Sequence, residues 1–138
     1  MDLNDNIDLH PTPQFARKSW MSLCGEWDFR FDQNNTGETE MFFRGFEREN
    51  AIIVPFTYES KASGIGKEEA CQSVWYQRRF SWKKNRAKHA HIIFEGADYL
   101  TKVWINGQYV GSNIGAYHAF SFDIDFATHD GENLIVVK

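Results

Sequence analysis

Two pairs of side chains in this sequence have metal-binding chemistry: His89 with His91, and Asp123 with Asp125. Each pair is spaced by two residues, which on a strand puts both members on one face. A zinc site needs at least three protein ligands. Spacing fixes no third one, so the histidines read as solvent-facing. The aspartates offer hard oxygens of the kind calcium takes, but two carboxylates on the outer face of an antiparallel strand read as solvated. No metal and no cofactor is expected. Hydrolysis of a glycosidic bond needs two carboxyl groups about 5 to 9.5 Å apart, one of them kept protonated by its surroundings. Nineteen acidic residues are present, yet no motif places a pair. There is no Gly-x-Ser-x-Gly elbow and no histidine set to activate a particular hydroxyl. Gly64-Ile65-Gly66 is too short for a phosphate cradle and follows no strand that leads into a helix, so it reads as a flexible loop. Catalysis is not readable in this chain from motif and spacing.

The elements that would position these groups are strands. Leu23, Gly25, Trp27, Phe29 and Phe31 alternate with Cys24, Glu26, Asp28 and Arg30, the pattern of a half-buried strand. Asp32 to Glu40 is polar, and Met41 to Phe46 is apolar but short enough to be one helical turn. Ile52-Ile53-Val54 stops at Pro55, which lacks the donor a central strand needs. The run from Phe56 to Ser73 is irregular, and a connection of that length is usually functional or mobile. Val74, Tyr76, Phe80 and Trp82 alternate with Trp75, Gln77, Arg79 and Ser81, leaving Arg78 on the apolar side to snorkel or pair. Ala90 to Phe94 is short. Val103 and Ile105 lead into Asn106-Gly107, the pair that takes positive φ in a two-residue type I′ turn, and Tyr109-Val110 returns. Phe120 to Phe126 alternates again, and Gly131-Glu132-Asn133 turns into Leu134-Ile135-Val136-Val137. No 3.6-residue period persists over three turns, which argues against βαβ units. Seven or eight short strands imply an all-β sandwich of the jelly-roll kind.

A chain of 138 residues is one domain by size. We assign 1–138 to a single β-sandwich, with an extended N-terminal segment over 1–14. Aromatics at 16% fit a pleated core. A net charge of −4 with no basic stripe disfavours nucleic acid. No apolar run approaches the roughly 20 residues that span a bilayer, and the polar, acidic start from Met1 to Asn6 is not a secretory signal. A cytoplasmic location and two free thiols, Cys24 and Cys71, are the matching expectations. Because the chain ends at Lys138 inside a strand, truncation at the C-terminal end is expected, with an apolar edge open to homo-oligomerisation or strand exchange.

Several phrases occur in a telling order. They are His10-Pro11-x-Pro13-Gln14, Leu23-x-Gly25-Glu26-Trp27-Asp28-Phe29, Val54-Pro55-Phe56 with Glu59-Ser60 and Ser63-Gly64, and Val74-Trp75-Tyr76-Gln77-Arg78-Arg79-Phe80. After these come Phe94-Glu95-Gly96, Val103-Trp104-Ile105-Asn106-Gly107, Val110-Gly111, Gly115, Phe120-x-Phe122-Asp123-Ile124 and Gly131-Glu132-Asn133. Taken together the chain resembles the N-terminal sugar-binding domain of glycoside hydrolase family 2, which includes β-galactosidases, β-glucuronidases and β-mannosidases. The resemblance implies a galactose-binding-domain-like jelly roll. It also implies a parent that is a retaining β-glycosidase, with its two catalytic glutamates in a later TIM-barrel domain and the acid/base in an Asn-Glu dipeptide. No Asn-Glu dipeptide occurs in these 138 residues. The implied partners are the β-linked sugar substrate of that parent and, in cis, the barrel and immunoglobulin-like domains. On the same similarity Glu59 and Gln72, in the loop before Val74, are the candidate carbohydrate contacts. Trp75 and Trp104 are placed in packing rather than in sugar stacking. Cys24 stands where family members commonly carry Asn, on the outward face. The rival reading is a free-standing carbohydrate-binding or adhesion sandwich.

Overall fold

The computed structural model describes residues 19–138; the segment expected to be extended over 1–14, and the His10-Pro11-x-Pro13-Gln14 phrase, lie outside them. Eight strands follow: β1 (Gly25–Asp32), β2 (Asn50–Val54), β3 (Ser73–Trp82), β4 (His91–Phe94), β5 (Leu100–Ile105), β6 (Gln108–Ile114), β7 (Phe120–Asp123) and β8 (Gly131–Val137). Six of them form one sheet in the order β2-β1-β3-β8-β5-β6, and β4 pairs with β7 in a second sheet. Every pairing is antiparallel. The molecule is the all-β sandwich that the alternation predicts.

Period-two patterning explains which side chains meet. Trp27, Phe29, Ile52, Phe80, Val103, Ile105, Ile135 and Val137 face the small sheet and form the main core with Ile124 and Ala127. Ile92, Phe94 and Phe122 close it from the other layer. The opposite face of the large sheet is also covered. There Phe42, Trp75, Trp104 and Val136 make a second cluster, flanked by Phe43, Phe46 and Leu134. The segment from Gln33 to Phe46 is therefore a roof over this face, with Phe42–Arg44 as a single 3-10 turn. The polar face of β1, carrying Asp28 and Arg30, lies partly under that roof, and Asp32, the first residue of the polar run in the sequence, is instead the last residue of β1 and only 5% exposed. Trp75 and Trp104 stack on each other at 5.4 Å, as packing residues.

Two local readings hold in detail. Asn106 (φ 51°) and Gly107 (φ 77°) make the two-residue turn between Ile105 and Gln108. Arg78, on the apolar side of β3, turns its guanidinium to the sheet margin and donates to the carbonyls of Leu23 (2.8 Å) and Cys24 (2.7 Å). Gly25, at φ 116°, leaves room for it. β8 lies inside the sheet, between β3 and β5, and among the described residues the outer strands of the large sheet are β2 and β6. Sequence order does not reveal this, because β8 inserts between strands that precede it by many residues. Cys24 and Cys71 are both free.

Candidate functional site

The antiparallel pairing of β1, β3 and β8 brings the end of β1, the start of β3 and the end of β8 to one end of the large sheet, since Asp32 pairs with Ser73 and Tyr76 with Val137. The connection from β2 to β3 folds over that end. It is irregular, as predicted, but internally bonded. Ser60 N donates to Thr57 O (3.0 Å) and Lys67 N to Tyr58 O (3.0 Å). Ser60 caps the 3-10 turn Lys61–Ser63 by accepting from Ala62 N. The fully buried Ser63 hydroxyl donates to Ser60 O (2.7 Å) and accepts from Ile65 N (3.1 Å). Tyr58 anchors the loop by packing edge-on against Phe31 at 5.4 Å and at a tilt against Phe29 at 6.0 Å.

Glu59 and Gln72 are both exposed on this loop. The Tyr58 phenol lies in the field of the Glu59 carboxylate and beside Cys71, the residue before Gln72. Gln72 N donates to Gln33 Oε1 (3.4 Å), and Gln33 Nε2 donates to Ala70 O (3.4 Å), so the start of β3 is stitched to the end of β1. The Glu59 charge is felt by two phenols. Burial first, then the negative charge of Glu59, raises the Tyr58 hydroxyl above its ordinary value. Burial, followed by the charges of Glu59 and Tyr58, pushes Tyr76 up to about 12. Both phenols therefore stay protonated at neutral pH and can donate. Tyr58 and Tyr76 are residues that sequence reasoning left unmarked as part of this site. The available signal was the direct succession Tyr58-Glu59 and the inward position of Tyr76 in β3.

Beneath this rim sits a charged support. Asp32 Oδ1 accepts from Thr36 N (2.9 Å), and Oδ2 accepts from Gly37 N (2.9 Å), Trp75 Nε1 (2.9 Å) and Ser73 Oγ (3.1 Å). Burial pushes its carboxyl up, but these donors outweigh burial and hold it below the usual range. Glu38 Oε1 accepts from Lys102 Nζ and Lys138 Nζ, both at 2.8 Å, and these bonds hold its carboxyl low as well. The Lys138 ammonium also lies 5.6 Å from the Trp75 ring centroid. A separate shallow cleft of about 390 Å³, lined by Arg30, Phe31, Glu47, Arg48 and Glu49, contains neither Glu59 nor Gln72.

The arrangement offers hydroxyl, amide and carboxylate groups at a sheet end, suited to hydrogen-bonding a polyhydroxylated ligand. The metal-ligand pairs lie elsewhere, on the small sheet. There His91 is opposite Asp123, while His89, just before β4, contacts Asp125 rather than His91. Asn106 and Asn133, from two phrases far apart in sequence, are bonded to each other: Asn106 Nδ2 donates to Asn133 Oδ1 (2.8 Å) and to Ala127 O (2.9 Å). Asn106 Oδ1 accepts from Leu134 N (2.9 Å). The Asn-Gly phrase thus does more than turn the chain; it clamps the turn to β8.

Comparison with known proteins agrees with this architecture. The chain is 31% identical over 140 residues to a β-galactosidase of Thermoanaerobacter pseudethanolicus, covering 99% of this chain and 16% of that protein. It is 25% identical to a β-glucuronidase of Bacteroides fragilis, covering 96% of this chain and 17% of that protein. Among solved structures, a Ruminococcus gnavus β-glucuronidase in complex with D-glucaro-d-lactam superposes with a TM-score of 0.77 at 24% identity, over 85% of this chain and 21% of that one. The chain thus spans about a sixth to a fifth of the length of these relatives. The family model for glycosyl hydrolases family 2, sugar binding domain, matches residues 20–138, and the chain belongs to that family as this domain.

Proposed function

We propose that the chain is the non-catalytic N-terminal scaffold of a retaining β-glycosidase of the β-galactosidase or β-glucuronidase type. In this role it packs on a TIM-barrel catalytic domain and lines the substrate pocket with the sheet end that carries Glu59 and Gln72. The observation that carries the reading is the family match over 20–138 together with the small fraction of each relative that the chain spans. The electrostatics support it. A glycosidic general acid needs a carboxyl raised toward neutrality, whereas Asp32, Glu38 and Asp125 are all held below their ordinary range. The stacking of Trp75 on Trp104 inside the roof cluster supports a scaffold over a free-standing lectin, whose binding would need such rings exposed beside polar groups.

The test has two arms. The purified chain should show no turnover of nitrophenyl β-galactoside or nitrophenyl β-glucuronide; robust turnover abolished by a point substitution within the chain overturns the assignment. Calorimetry against a glycan panel should give affinities no tighter than millimolar. Micromolar binding by the isolated chain would instead make it a free-standing carbohydrate module.

A further inference from the structure

Two pairs of potential ligands that stand far apart in sequence meet across the small sheet. β4 and β7 pair with His91 opposite Asp123. The chain entering β4 carries His89 to the acidic turn that follows β7. There His89 Nδ1 is 3.0 Å from Asp125 Oδ2 and 4.0 Å from Asp123 Oδ2. Each carboxylate has one oxygen committed to the backbone: Asp125 Oδ1 accepts from Ala90 N (3.1 Å) and Asp123 Oδ1 from Asp125 N (2.9 Å). The remaining oxygen of each therefore turns to the imidazole, and ligand atoms of all three residues lie within 4.8 Å of one another.

We propose that His89, Asp123 and Asp125 form a three-ligand site for a divalent ion of the zinc class. One imidazole nitrogen and two carboxylate oxygens match the ligand set zinc accepts at about 2.0–2.2 Å, with water left to complete four-coordination. Calcium prefers six to eight oxygen ligands, and this site offers two protein oxygens and a nitrogen. The backbone donors on Asp123 and Asp125 orient the ligands, as partners behind metal-binding side chains commonly do. The opposing charge is the Lys84 ammonium, which donates to the Asp125 carbonyl. The competing state is a simple ion pair between protonated His89 and the two aspartates. It differs from the metal site in that zinc requires neutral imidazole and is released by acid.

The experiment is a zinc titration of the 138-residue chain by calorimetry at pH 7.5, repeated with cobalt(II) by visible absorption. One saturating site per chain is expected. His89→Ala and Asp123→Asn should each weaken it at least tenfold, while His118→Ala leaves it unchanged and excess calcium does not compete. The side chain of His89 is 81% exposed, so its removal should leave the fold intact, which circular dichroism checks. Absence of saturable binding, or binding unmoved by both His89→Ala and Asp123→Asn, would reduce the cluster to an ion pair and overturn the proposal. This outcome is independent of the glycosidase reading.

Discussion

Glu59 can be located in solution without any sugar, through the phenol it faces. Tyr76 is pushed up to about 12 by burial, then by the charges of Glu59 and Tyr58. Glu59→Gln removes one of those charges, so the last phenol to ionise should do so at lower pH, read as phenolate absorbance on alkaline titration. A late-titrating phenol that does not move would separate Glu59 from the site. The sign for stability follows from linkage. The folded value of Tyr76 lies above the unfolded value of about 10, so its contribution is intact below about pH 10 and is lost as pH rises toward the folded value. Asp32 runs the other way. Its folded value lies below the unfolded value of about 3.9, so its stabilisation is full above about pH 4 and is lost as pH falls through the folded value. Asp32→Asn should cost about 2 kcal/mol or more at pH 7, because an amide nitrogen would meet backbone, hydroxyl or indole donors where a carboxylate now accepts. Urea titrations should show that deficit shrinking below pH 4; a deficit constant from pH 7 to pH 3 would show that charge plays no part.

At the scale of elements, the roof over Trp75 and Trp104 is the feature least legible in the sequence. Its apolar content is confined to Met41, Phe42, Phe43 and Phe46, of which the three phenylalanines pack on the sheet, and that is too few positions to show a period. The roof is organised instead by one buried carboxylate, Asp32, and one glycine. A Cβ on Gly37 would lie 2.5 Å from Trp75 Nε1 and 2.7 Å from Phe42 Cδ2. Gly37→Ala should therefore lift the roof, costing about 1–3 kcal/mol as an overpacking change and altering the near-ultraviolet dichroism of the stacked indoles. A variant with native stability and native aromatic signal would contradict this close approach. The strands of the sandwich were legible because alternation is a local property, as in Trp27 and Phe29 of β1 or Phe120 and Phe122 of β7. The His89–Asp125 contact was not, because each spacing is visible alone while the β4–β7 register that joins them is not. Asn106 shows the intermediate case: its turn role follows from its neighbour Gly107, but its clamp on Asn133 depends on where β8 lies.

For the whole molecule, the decisive event is the insertion of β8. Seven register pairs tie it to β3 and three to β5, so it is the strand that joins β2-β1-β3 to β5-β6. It also couples the two clusters, since Ile135 and Val137 face the main core while Val136 faces the roof. Without β8 neither half-sheet can bury its faces, and the Asn106 clamp loses both Asn133 and Leu134. Such non-local closure must precede most of the favourable burial, which makes folding all-or-none rather than progressive along the chain. A variant ending at Asp130 should therefore show no cooperative urea transition and no native near-ultraviolet spectrum, whereas the 138-residue chain should unfold in one transition seen alike by tryptophan fluorescence and far-ultraviolet dichroism. Cooperative unfolding of the shortened chain would mean that β2-β1-β3 and the β5-β6 hairpin hold together through the roof and the small sheet alone.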